Sequence, residues 1–255
     1  MLSIIVGGTY AVLMTWISER FGSKIGGLLI GLPSTSLIGY IFIALTQSSS
    51  VAVSGSVISP ISIAAASLFV VAFVLAYPRF GGVMSFLISI FTWVVFTFPF
   101  ILFRINNILL SISIGIIYLV TAIFMVRKYP DQKIKSTRIT PTILLVRGVM
   151  SGTIIGLAVI LSKVLGPLWG GLMAGFPALF SSSIIILLIA HGIGFASSVA
   201  KRIPYGNVTS TVFAIGFYYL VPHYGMFIGT VIAYCLAIIT AVFIYFVVVL
   251  SITNC

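Results

Sequence analysis

Apolar residues follow one another along this chain in long stretches broken by short polar corners, and the stretches predict helices. The first runs from about Ser3 to Ile17 and closes at Ser18-Glu19-Arg20. Others span about Ile25 to Thr46, Val57 to Tyr77, Gly82 to Phe103 and Ile108 to Val126. A second set spans about Ile143 to Leu161, Trp169 to Ala190, Ile203 to Val221 and Gly225 to Leu250. Most are near the roughly twenty residues that an α-helix needs to cross a bilayer. Barrel strands would alternate in polarity, whereas these runs are apolar on every face. The pattern therefore predicts an all-α, polytopic transmembrane helix bundle of about nine helices. The Ser-rich stretch Gln47 to Ser56 and the polar stretch Arg127 to Arg138 read as loops.

The runs repeat. Gly22, Gly26, Gly27, Leu28, Gly31 and Pro33 return as Gly166, Gly170, Gly171, Leu172, Gly175 and Pro177, a constant offset of 144 residues. Upstream, Gly8 and Thr9 meet Gly152 and Thr153; downstream, Pro60, Phe69, Phe73, Pro78 and Gly81 meet Pro204, Phe213, Phe217, Pro222 and Gly225. An internal duplication predicts two four-helix units, residues 1–104 and 141–255, joined by residues 105–140, a linker helix with a basic loop. An odd linker helix turns the second unit over, which makes a 4+1+4 inverted-topology repeat.

Charge adds an orientation. Hydrophobic residues make up 61% of the 255 residues and charged ones only 6%, so a water-soluble globule is excluded. On the predicted topology eleven of the thirteen Lys and Arg fall on one side, Arg104 and Lys163 being the exceptions. The positive-inside rule then puts the N-terminus outside and the C-terminus in the cytoplasm of a multi-pass cell-membrane protein. The net charge of +11 is accounted for by topology and by anionic lipid on the cytoplasmic face, without nucleic acid. The N-terminus lacks the basic region of a secretory signal.

The chemistry is sparse. Proline in an apolar run removes a backbone donor and frees a carbonyl, and Gly31 or Gly175 two residues earlier loosens the same turn. Hydroxyl residues follow: Ser34, Thr35 and Ser36 after Pro33, and Ser181, Ser182 and Ser183 a little after Pro177. Interrupted helices at matching positions of inverted repeats are a hallmark of transporter sites, and a half-helix starting after the break presents amides suited to an anion or a polar neutral group. Gly26, Gly27, Gly31, Gly170, Gly171 and Gly175 read as helix-break and packing positions, since small residues let membrane helices approach closely. The kinks also have a purely structural reading.

Acids would be the clearest functional pointers inside a membrane, and Glu19 and Asp131 are the only two in the chain. Neither sits in the middle of a predicted helix, so coupling through a buried carboxylate, paired-acid catalysis and carboxylate-held metals have no support. No hydrolase triad, zinc spacing or phosphate-cradling loop occurs; enzyme activity, cofactor and metal are not expected. Arg147 reads as a snorkelling residue at a helix end, His191 and His223 as interfacial, and Cys235 and Cys255 offer no disulfide framework.

Each half resembles the small four-helix membrane proteins of the GlpM type, on Gly27-Leu28 with Pro33-Ser34 and on Gly171-Leu172 with Pro177-Ala178. Ala178 departs from the hydroxyl residue after the proline. The resemblance implies a duplicated and fused four-helix unit, and no activity. Together these features lead to the expectation of a transporter or channel for a small solute, with a homodimer as one possible assembly. The alternative is a non-transporting scaffold or lipid-handling protein.

Overall fold

The structure, a computed structural model, describes residues 2–20, 32–127, 140–177 and 202–249. These residues form eight α-helices and no strand. They are α1 (Leu2–Arg20), α2 (Ser34–Thr46), α3 (Ser49–Ser56), α4 (Ser59–Leu102), α5 (Ile108–Val126), α6 (Pro141–Leu165), α7 (Pro167–Ala174) and α8 (Ile203–Ile244), the last continuing into a π-helical turn, Tyr245–Val249. Ser59–Leu102, Ile108–Val126, Pro141–Leu165 and Ile203–Val247 are long and apolar enough to cross a membrane, which marks a multi-pass membrane protein.

Two of these helices are too long for one crossing. A straight helix of the length of α4 would reach about 66 Å, roughly twice the hydrocarbon thickness. The chain instead folds back at Gly81, whose φ of 70° and ψ of −178° belong to a region open to glycine and closed to residues with a Cβ. Phe69 and Phe86 consequently pack edge to face with ring centroids 5.9 Å apart, and Trp93 Nε1 donates to the Ser62 carbonyl at 3.3 Å. Gly225 does the same in α8, with φ 77° and ψ 169°, bringing Phe213 within 6.2 Å of Tyr234. The two arms of α4 match the predicted runs Val57 to Tyr77 and Gly82 to Phe103. Gly81→Ala and Gly225→Ala should each cost about 1–3 kcal/mol, by comparable amounts, because open space surrounds both and only backbone strain is added. Thermal unfolding in detergent measures this, and a stability matching wild type in either variant refutes the strained turn.

First arms lie inside and second arms outside. Ser59 to Val74 is almost wholly buried, and Phe213 and Phe217 of α8 stack on the buried Tyr40 of α2. Val83, Leu87 and Phe91 of α4, like Phe227, Ile239 and Phe243 of α8, are exposed and face outward.

Close seams are made by small residues. A Cβ at Gly8 would lie 2.7 Å from the Gly148 carbonyl oxygen, and one at Gly152 would strike the Ile4 carbonyl oxygen. As α1 rises from Ile4 to Val12, its contacts descend α6 from Gly156 to Gly148, so the two helices run antiparallel.

Three expectations need correction or restriction. The stretch Gln47 to Ser56, read as a loop, contains helix α3; Ser48 caps it by accepting from the Val51 amide at 3.3 Å, and its Ala52, Gly55 and Ser56 are buried. The run Ile25 to Thr46 is helical from Ser34, after a break at Pro33, and 25–31 lie outside the described residues. The run Trp169 to Ala190 is helical as Pro167–Ala174 and stops at Gly175, with 178–190 outside the described residues.

Candidate functional site

Pro33 stands at the N-cap of α2, where its ring has no hydrogen-bonding group to offer. The first turn receives no side-chain cap and holds no acidic residue. Asn107, Ser48 and Thr140, by contrast, each cap the helix that follows them. At α2 the Ser34 amide turns back to the Leu32 carbonyl at 2.7 Å, and the Leu37 amide reaches the Pro33 carbonyl at 2.9 Å. The Thr35 and Ser36 amides between them have no acceptor among the described residues. Such orphan donors carry the positive end of the helix dipole.

The other interrupted helix arrives from the opposite direction. α7 ends at Gly175, and its last carbonyls are met by hydroxyls from elsewhere in the chain. Ser59 donates to Gly171 at 3.3 Å, Ser62 to Leu172 at 2.7 Å and Ser36 to Ala174 at 3.0 Å. Ser36 therefore ties the start of α2 to the end of α7. A Cβ on Gly175 would lie 2.5 Å from Ser62 Oγ, so only glycine fits the end of α7 beneath that hydroxyl.

Between the two ends lies a cavity of about 30 Å³. Leu32, Pro33, Ser34, Thr35 and Ser36 form one wall, Ala174, Gly175 and Phe176 the facing one, and Ile63, Asn207 and Ser210 close it. Ser34 is 5% exposed, and its hydroxyl has no hydrogen-bond partner among the described residues. Asn207, 1% exposed, spends one amide N–H on Ser67 Oγ at 2.8 Å. Trp93 backs the facing wall, its ring edge to face with Phe176 at 5.0 Å.

Of the residues predicted from the sequence, Pro33, Ser34, Thr35, Ser36 and Gly175 line one cavity. Pro177 is buried two residues past the break. Gly170 packs against Ser162 and Ile43, and Gly171 against Gly55, as close-approach positions away from the cavity lining. Ser181, Ser182, Ser183, Gly26, Gly27 and Gly31 lie outside the described residues. The sequence reading missed Asn207, Ser210 and the capping pair Ser59 and Ser62. Asn207 had a signal, since an amide within an apolar membrane helix needs a polar partner. Arg147, expected to snorkel outward, is 7% exposed on the face of α6 that carries Gly148 and Ser151. Among the described residues no group of three His, Cys, Asp or Glu could hold a metal ion.

Residues 144–251 match a family described as a protein of unknown function (DUF3147). The match begins within α6 and covers the described parts of α7 and α8. No curated protein and no solved structure matches the chain.

Proposed function

We propose that the chain is a membrane carrier or channel for a small polar solute, built as an inverted repeat, with its site where the two interrupted helices meet. One observation carries this: the uncapped start of α2 and the end of α7 line one cavity, together with a Ser34 hydroxyl that has no partner among the described residues. Membrane proteins tolerate non-helical backbone at depth chiefly where it is sheltered by protein or lines a cavity.

Several features support the duplication. Helices α4 and α8 begin at Ser59-Pro60 and Ile203-Pro204 and turn at Gly81 and Gly225, all at the same offset of 144 residues. The α1–α6 seam is reciprocal, because Gly8 meets Gly148 while Gly152, the counterpart of Gly8, meets Ile4, the counterpart of Gly148. That is the contact pattern of a two-fold axis. The antiparallel course of these helices supports inverted halves, and the family match over 144–251 has the length of one such unit. The resemblance of each half to GlpM-type proteins belongs to this reading. So do the outside N-terminus, the cytoplasmic C-terminus and the attraction of the basic side to anionic lipid.

On the same offset the polar lining is one-sided. Ser34, Thr35 and Ser36 have Ala178, Leu179 and Phe180 as counterparts, Asn207 has Ile63, and Ser210 has Ala66. One polar site per chain, rather than two, follows from the reading.

Flux from proteoliposomes, across small anions, cations and neutral solutes with and without a membrane potential, tests it. Asn207→Leu should lower the flux at least about tenfold while leaving the protein monodisperse, since it replaces a buried amide of the cavity with a side chain of similar volume. A folded wild type that moves nothing refutes transport and favours the scaffold or lipid-handling alternative.

A further inference from the structure

We infer that the cavity binds one small anion, a conclusion that deepens the transport reading and rests on it for its physiological sense. The inference comes from counting which groups around the cavity are already used. Three carbonyls at the end of α7 already have hydroxyl donors: Ser59, Ser62 and Ser36 hold those of Gly171, Leu172 and Ala174. The negative end of that helix is thus spent on protein groups.

Several described donors, however, have no acceptor among the described residues. The Thr35 and Ser36 amides have no acceptor among the described residues, and Pro33 cannot cap them. The Ser34 hydroxyl beside them is 5% exposed, faces the cavity and has no partner among the described residues. Asn207, with one N–H on Ser67, keeps a second N–H without an acceptor among the described residues. Buried donors left unmade are costly, so the described donors favour a ligand that accepts hydrogen bonds.

Charge points the same way. The positive end of α2 faces the cavity, and no Asp or Glu stands among its described lining residues. A cation would meet a positive dipole with no counter-charge among those residues. The volume of about 30 Å³ admits about two waters or one small ion. The one-sided polarity of the lining gives a stoichiometry of one per chain.

The test is equilibrium binding on the full chain in detergent, by calorimetry and by thermal shift, with sodium fluoride, chloride, bromide and nitrate against sodium gluconate. At least one of these anions should bind saturably at one per chain and raise the melting temperature in step with its concentration. Ser34→Ala should weaken binding about ten- to a hundredfold, the range for losing one hydrogen bond to a charged ligand, and Ser34→Thr should restore it. Ser113→Ala, on the exposed face of α5, should change nothing. The same preparations are assayed for flux. Anion binding without flux upholds the anion site and overturns the carrier reading. Flux of a neutral solute or cation with no anion binding overturns the anion site and leaves the carrier. Anion binding that Ser34→Ala leaves unaltered in a folded protein overturns the assignment to this cavity.

Discussion

Gly171→Leu will leave no folded protein after extraction in detergent. A Cβ at Gly171 would run into the carbonyl oxygen of Gly55, and one at Gly55 would sit 2.7 Å from the carbonyl oxygen of Pro167. Both obstacles are backbone, so no side-chain rotation relieves them, and α3 must lift off α7 to make room. Overpacking against movable side chains costs about 1–3 kcal/mol; here the cost exceeds about 3 kcal/mol, a large part of the margin that holds most folds together. The damage also travels, because Gly171 and Leu172 supply the carbonyls that Ser59 and Ser62 cap. The measurement is the monodisperse fraction on size exclusion, with Gly39→Ala as the control. A Cβ at Gly39 would lie 3.5 Å from the Ala174 side chain, an ordinary contact. A monodisperse Gly171→Leu protein with wild-type melting would show that the α3–α7 backbones do not touch.

The second large effect is at Trp93. This side chain, 4% exposed, packs with Phe69, Phe73 and Leu172 in the main core and sits edge to face on Phe176. It also donates to the carbonyl of Ser62, the residue whose hydroxyl holds Leu172. Trp93→Ala removes a buried aromatic and one hydrogen bond, and should cost about 3–5 kcal/mol. Trp93→Phe keeps the ring contact and should cost about 1–2 kcal/mol. Because Phe176 is a wall of the cavity, the alanine variant should also lose discrimination among solutes in the flux assay, and the phenylalanine variant should keep most of it. Equal melting temperatures for the two variants would place Trp93 outside the core that supports the site.

These sites differ in how readable they were from the chain alone. Pro33 with Ser34, Thr35 and Ser36 was legible because proline in an apolar run forces a break and the following hydroxyls are local to it. Gly81 was legible as a repeated glycine beside Pro78, and the boundary it marks between two apolar runs corresponds to the fold-back of α4. Asn207 was not picked out, although it is the kind of residue that needs a partner in a membrane. Its partner Ser67 lies 140 residues away in sequence, and no periodicity joins them. Ser59 and Ser62 were invisible as well, since their task is to cap a helix that enters more than a hundred residues later. The short helix α3 was hidden by its serines, which read as loop and in fact supply a cap and small packing surfaces.

Sequence by itself determined the solvent, the helical class and the places where helices must stop. Each of these is local: a run of about twenty apolar residues, a missing amide at proline, a glycine free of Cβ strain. It also displayed the matched motifs from which the inverted repeat is proposed. What only the tertiary structure decided is which broken ends meet and which of their polar groups remain unspent. That depends on contacts between residues far apart in the chain, such as Ser36 on Ala174 and Asn207 on Ser67. Hydrogen-bond satisfaction in a membrane interior is a property of the whole packed arrangement, and there three carbonyls of α7 found hydroxyls while the Thr35 and Ser36 amides of α2 have no acceptor among the described residues.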